Sequence, residues 1–246
     1  MKAVILAAGK GTRMGSLTDE LPKPMLPVEG RPILEHIISG IAAQGVREFQ
    51  LITGWKAEVI EHHFGDGSLL GLSITYARQE VQDGTGKAPE LAKRFVGDDP
   101  FLLTYGDILV RPETYAAMTD RFSQGEFSGL ITVTPGEDVT KGAINFFDDE
   151  FCLRKIVEKP SAEQLDQLRA DGWLKESDPM WYNAGIYIFR PVVFNHTAKL
   201  QRSPRGEYEL TDAIATMITA NERIAGVKTE GRWIDIRDPE VLESLG

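Results

Sequence analysis

The chain has 246 residues, a formal net charge of −10, 42% hydrophobic and 26% charged residues, the balance of an ordinary soluble globular protein. Its acidity argues against a nucleic-acid binder, which needs clustered Lys and Arg. No apolar run approaches the roughly 20 residues of a membrane span, and the single cysteine, Cys152, excludes an internal disulfide or a cysteine metal cluster. The length suits one α/β domain over residues 1–246 with a sizeable core, and no linker composition divides it. The apolar start is too short for a signal peptide, so a cytoplasmic location is expected.

Residues 4–6 (Val-Ile-Leu) read as a buried parallel strand, and Ala7, Ala8 and Gly9 shrink the side chains where it would end. Gly9, Lys10, Gly11, Thr12 and Arg13 then offer a flexible backbone whose N–H groups can converge on an anion, beside a hydroxyl and a guanidinium. A polyphosphate needs this chemistry. Gly9, Gly11 and Gly15 approximate a dinucleotide-binding fingerprint, but that motif must open a helix, and Pro22, Pro24 and Pro27 forbid one.

Apolar residues at helical spacing predict a packing helix over 33–41, with Gly45 placed to end it. His36 within it has no second ligand at i+4 and reads as a boundary side chain. A strand (49–53), a short helix (57–64) and another strand (72–77) follow. Gln79 and the turn Gly84-Thr85-Gly86 then lead to a helix from about Ala88; Gly86-Lys87 lacks the rest of a phosphate loop. The buried strand 101–103 runs into Gly106-Asp107. An aspartate there suits a turn or helix cap by itself, but a metal ion when it stands at a strand's carboxyl end beside a phosphate loop. A surface helix (112–122), a core strand (130–133), paired strands (141–144 and 153–160) and an amphipathic helix over 161–173 come next. That helix reads as a lid or subunit contact, or as local packing. The strand 181–189, an apolar helix capped and docked by 207–212, a strand ending near Asp235 and a closing helix complete the chain.

Gly9-Lys10-Gly11-Thr12-Arg13-Met14, Thr18 and Pro22-Lys23-Pro24-Met25-Leu26-Pro27-Val28, in this order and spacing, resemble the signature of the sugar-1-phosphate nucleotidyltransferases, also called NDP-sugar pyrophosphorylases. Gly142, Glu158-Lys159-Pro160, Asn183-Ala184-Gly185 and Asp235 extend the resemblance over nearly the whole chain. It implies a Rossmann-like nucleotidyltransferase fold of class α/β: a mixed, mostly parallel sheet flanked by helices, with a small sugar-side β subregion. About 1–135 would form the nucleotide half and 136–246 the sugar half, with no appended β-helix domain in the given sequence.

The resemblance also implies a reaction joining a nucleoside triphosphate to a sugar 1-phosphate, without nucleic-acid or membrane partners and compatible with a homo-oligomer. By that resemblance Leu6, Ala8, Gly9, Gly11, Thr12, Arg13, Gln79, Gly84 and Thr85 bind the nucleotide. Gly142, Glu158, Lys159 and Asn183 bind the sugar phosphate, Arg13, Lys23 and Asp107 are catalytic, and Asp107 and Asp235 hold magnesium (Mg2+). Asp83 before Gly84 and Gly86-Lys87 after Thr85 depart from the family's base-reading run, so the base leans only toward a pyrimidine. A glycosyltransferase of similar fold and a non-catalytic sugar-nucleotide regulator are the alternatives; the first usually carries an Asp-x-Asp, where this chain has Tyr105-Gly106-Asp107.

Overall fold

A computed structural model describes residues 1–245. Its first half runs β1 (Lys2–Ala7), β2 (Pro27–Val28), β3 (Arg31–Pro32), α1 (Ile33–Ala42), β4 (Glu48–Thr53), α2 (Ala57–Phe64), β5 (Ser73–Arg78), α3 (Lys93–Val96), β6 (Phe101–Tyr105), β7 (Ile108–Val110), α4 (Pro112–Ser123) and β8 (Gly129–Thr134). The second half runs β9 (Ala143–Phe147), β10 (Leu153–Glu158), α5 (Ala162–Ala170), β11 (Trp181–Phe189), α6 (Val193–Thr197), α7 (Leu210–Thr219), β12 (Ile224–Lys228), β13 (Trp233–Asp235) and α8 (Pro239–Glu243).

A nine-stranded mixed sheet carries both halves, in the order β10-β9-β11-β6-β1-β4-β5, with β8 and β12 paired beside β11. Strands β6, β1, β4 and β5 are mutually parallel, whereas β11 runs antiparallel to β6, β8 and β9. Alternation along β1 explains how it is covered. Ala3, Ile5 and Ala7 pack in one core with Ile33, Ile37 and Ile41 of α1, while Val4 joins the opposite core with Leu210, Ile214 and Met217 of α7. Among the described residues no helix is long and apolar enough to cross a membrane.

Several predicted elements are shorter in the structure, each for a local reason. The helix expected from Ala88 is a 3₁₀ turn over Ala88–Ala92 followed by the single turn α3, which Gly97 ends at φ 63°. The strand expected from Lys141 starts at Ala143, because Asp138 caps a 3₁₀ turn over Val139–Lys141. The prolines exclude an α-helix after the first loop, but two 3₁₀ segments, Thr12–Thr18 and Lys23–Met25, form there. Strands β2, β3, β7 and β12 and helix α6 are additional, and all are too short to impose a period on the sequence.

Helix α5 opens with a capping box between Ser161 and Gln164 and stops before Gly172 (φ 77°). It packs locally: Leu168 and Leu174 form a satellite core with Val139, Ile144, Phe146 and Tyr182. Leu168→Ala is therefore expected to destabilise the protein by about 2–4 kcal/mol, read as a lowered urea midpoint at unchanged m-value.

Candidate active site

Two parallel strands end side by side at the crest of the sheet. Leu6 of β1 is in register with Tyr105 of β6, and the Gly106 N–H donates to the Leu6 carbonyl at 2.9 Å. A Cβ on Gly106 would lie 3.2 Å from both the Ala7 Cβ and the Pro24 Cγ, so glycine lets the chain turn tightly into Asp107. The next strand, β7, pairs antiparallel with β13; Asp235 stands opposite Ile108, and the Ile236 N–H donates to the Asp107 carbonyl at 3.0 Å. Two acids far apart in sequence thus occupy one mouth. Burial first, then the Asp107 charge, push the Asp235 carboxyl up to about 6.

Lys23 reaches the same point. The extended Pro22 and the 3₁₀ turn over Lys23–Met25 orient it, and its Nζ donates to Asp107 Oδ2 at 2.6 Å. Gly11 is left-handed (φ 66°), and a Cβ there would come within 2.9 Å of the Lys23 Cβ, so glycine is needed for the loop to close over the lysine. The Thr18 hydroxyl donates to the Gly11 and Gly15 carbonyls and holds that loop. The oxygen pair Asp107 and Asp235 suits a hard divalent cation whose other positions are filled by water and phosphate oxygens. Among the described residues no third His, Cys, Asp or Glu completes a metal cluster.

Two cavities meet over Asp107, and Asp235 lines the second of them. The first, about 280 Å³, is lined by Leu6, Ala8, Gly9, Gln79, Gly84 and Thr85 among others; the second, about 290 Å³, contains Gly142, Glu158, Lys159, Asn183 and Asp235. Thr85, Tyr105, Asp107 and Glu207 border both. Arg13 and Lys159 share a further cavity with Asp235. Gly11 and Thr12 line neither of the first two cavities; Gly11 shapes the loop, and Thr12 is exposed at its start.

The second cavity is internally wired. The Glu158 carboxylate accepts from the Thr211 hydroxyl (3.1 Å) and from Arg205 (3.3 Å), and Arg205 also donates to Glu209 at 2.6 Å. Burial, then the Glu209 charge, raise the Glu158 pKa. The Asn183 side chain donates to the Tyr187 hydroxyl and accepts from the Gly185 N–H, fixing the irregular register where β11 leaves β8. Lys159 adopts φ 39°, and its N–H donates to the Gly142 carbonyl at 2.6 Å.

Residues 207–212, expected only to cap and dock α7, are instead part of this wall. Glu209 makes no side-chain cap; its carboxylate takes Arg205 and Ser203, while the Thr85 hydroxyl accepts from the Leu210 N–H. Gln82, which no sequence motif singles out, donates to the Ala8 carbonyl at 2.7 Å. Gly84 and Gly142, expected to bind the nucleotide and the sugar phosphate, also have an intramolecular reason to be glycine. A Cβ on Gly84 would strike the Tyr208 backbone, and one on Gly142 would strike the Tyr182 phenol.

The profile of the nucleotidyl transferase family matches residues 2–244. The low-salt glycan biosynthesis nucleotidyltransferase Agl11 of Haloferax volcanii is 33% identical over 99% of this chain and 65% of its own length. The UTP–glucose-1-phosphate uridylyltransferase AglF of the same organism is 30% identical over 98% of this chain and 93% of its own. This chain spans about half the length of other curated relatives, the bifunctional GlmU proteins of Methanococcus species. The crystal structure of a UDP-glucose pyrophosphorylase complexed with UDP-glucose superposes with a TM-score of 0.84 over 99% of this chain and 96% of that one; at 22% identity it establishes the shared fold. The loop, the crest and the two adjoining cavities thus belong to a chain that is a member of the nucleotidyl transferase family.

Proposed function

We propose that this protein joins a nucleoside triphosphate to a sugar 1-phosphate, giving a nucleotide sugar and pyrophosphate. The observation that carries the reading is the meeting of two cavities over Asp107, with Lys23 at 2.6 Å and Asp235 on the paired strand. The first cavity takes the nucleotide and the second the sugar. AglF, a UTP–glucose-1-phosphate uridylyltransferase that aligns along nearly its whole length, supports the same reaction and a pyrimidine base.

A sugar-phosphate oxygen attacks the α-phosphorus in line, and the bond to the bridging oxygen of the β-phosphate breaks. A phosphate's second pKa is about 6, so the nucleophile is already anionic at neutral pH and no side chain need act as base. The chain's task is to hold two polyanions together. Lys23 faces the α-phosphate and the attacking phosphate, Arg13 the leaving pyrophosphate, and Lys159 the sugar phosphate; the shared cavity of Arg13, Lys159 and Asp235 supports a cationic lining near the acids. Asp107 and Asp235 would hold a magnesium ion, which when bound would supply further charge neutralisation at the phosphate oxygens. A buried free Cys152 suits a reducing cytoplasm.

Five nucleoside triphosphates, each offered with a panel of sugar 1-phosphates, test the reading through released pyrophosphate. Release that requires both substrates and is strongest with a pyrimidine triphosphate is expected. Transfer of the sugar from a finished nucleotide sugar to an acceptor, or binding without turnover across the panel, would replace it with one of the rival readings.

A further inference from the structure

The wall between the two cavities is held by a contact that neither the reaction nor the sequence motifs account for. Residues 83–86 and 208–210 dock backbone to backbone: the Gly86 N–H donates to the Tyr208 carbonyl at 2.7 Å, and the Tyr208 N–H to the Asp83 carbonyl at 2.8 Å. There is no spare room. A Cβ on Gly86 would come within 2.5 Å of Leu200 and 2.9 Å of the Glu209 backbone. At the end of this seam, Lys87 sends its Nζ to the Thr197 carbonyl at 2.8 Å and lies 3.4 Å from the Ala198 carbonyl. Thr197 ends α6, where carbonyls lack intrahelical donors and attract a cation. The same ammonium stands 5.4 Å from the centre of the Tyr208 ring, which Arg202 also faces at 5.2 Å.

We infer that Lys87 is a positioning residue, whose ammonium pins the base-side loop to the end of α6 and to the Tyr208 ring of the segment walling the sugar side, so that both substrates are read by one docked unit. The inference rests on the assignment of the two cavities given above. Thr85 and Glu207, one on each side of the seam, border both cavities, while Glu209 and Thr211 line the second. Freeing the seam therefore disturbs both pockets. It leaves Asp107, Asp235 and Lys23 in place, because these hang from β6, β13 and the first loop. Affinity for both substrates should fall together, with the chemical step largely spared.

Lys87→Met, which keeps the apolar stem, and Lys87→Arg, which keeps the donors, provide the test. In Lys87→Met the Gly86, Tyr208 and Leu210 amides should exchange about tenfold faster while those of β1 and β6 stay protected, as for a local opening. Both KM values should rise about tenfold, the scale of a lost hydrogen bond to a charged group, with kcat held within about twofold. Lys87→Arg should restore both readouts. Unchanged exchange, a rise in only one KM, a matching fall in kcat, loss of protection throughout the molecule, or no rescue by arginine would each overturn the inference. If the wild-type protein turned over no triphosphate and sugar-phosphate pair, the functional reading would fail. The exchange measurement would still decide whether Lys87 holds the seam.

Discussion

Asp107→Asn is expected to lower kcat by about three orders of magnitude while leaving the protein folded. The substitution keeps shape and removes charge. The Asp107 carbonyl would still accept the Ile236 N–H, so the pairing of β7 with β13 survives, and an amide oxygen can still accept from Lys23. The ion pair is mostly buried, with side chains 13% and 28% exposed, but the hydrogen bond kept by the amide oxygen limits the cost of losing it, and the repulsion that Asp107 exerts on Asp235 disappears with it. What is lost is the one carboxylate of the pair that borders both cavities. Turnover would be followed by pyrophosphate release across a magnesium titration, alongside a thermal melt and the binding of Mn2+ by electron paramagnetic resonance. An inactive, folded variant with weakened metal binding fits the assignment. Full activity at any magnesium concentration would remove Asp107 from the site.

What the sequence made legible was whatever one segment determines by itself. An apolar strand ending in small residues announced the crest at β1, and the prolines after the first loop excluded a Rossmann helix there. Asp107 could be singled out because a buried strand runs directly into Gly106-Asp107. The opaque part lay in contacts between distant segments. Lys23 meets Asp107 across 84 residues and Thr85 meets Leu210 across 125, and neither contact leaves a periodic trace. For this reason 207–212 read as an end cap, although its carboxylates form a wall of the second cavity. Gly84 and Gly142 show the same limit. A glycine in sequence signals a close approach without saying what approaches, and here the protein's own Tyr208 and Tyr182 do.

Lys23→Ala is expected to reduce kcat by about two to three orders of magnitude, with a much smaller change in the KM for the triphosphate. Alanine keeps the Cβ that lies against Gly11, so the loop should close as before. Only the ammonium, 2.6 Å from Asp107, is removed. That ammonium is paired with a carboxylate, and incoming phosphate must share it rather than gain an unpaired charge. Its contribution to ground-state binding is therefore small. Crowding is greatest when the entering and leaving oxygens both surround the α-phosphorus, and a fixed cation stabilises that arrangement more than either separated substrate. Lys23 also balances Asp107; without it, the mouth carries two acids with less compensating charge, and the approach of two polyanions is harder still. The division between kcat and KM is the diagnostic quantity. A large rise in the triphosphate KM at unchanged kcat would make Lys23 a docking residue, with the burden of stabilising the transferred phosphoryl group falling on Arg13 and Lys159.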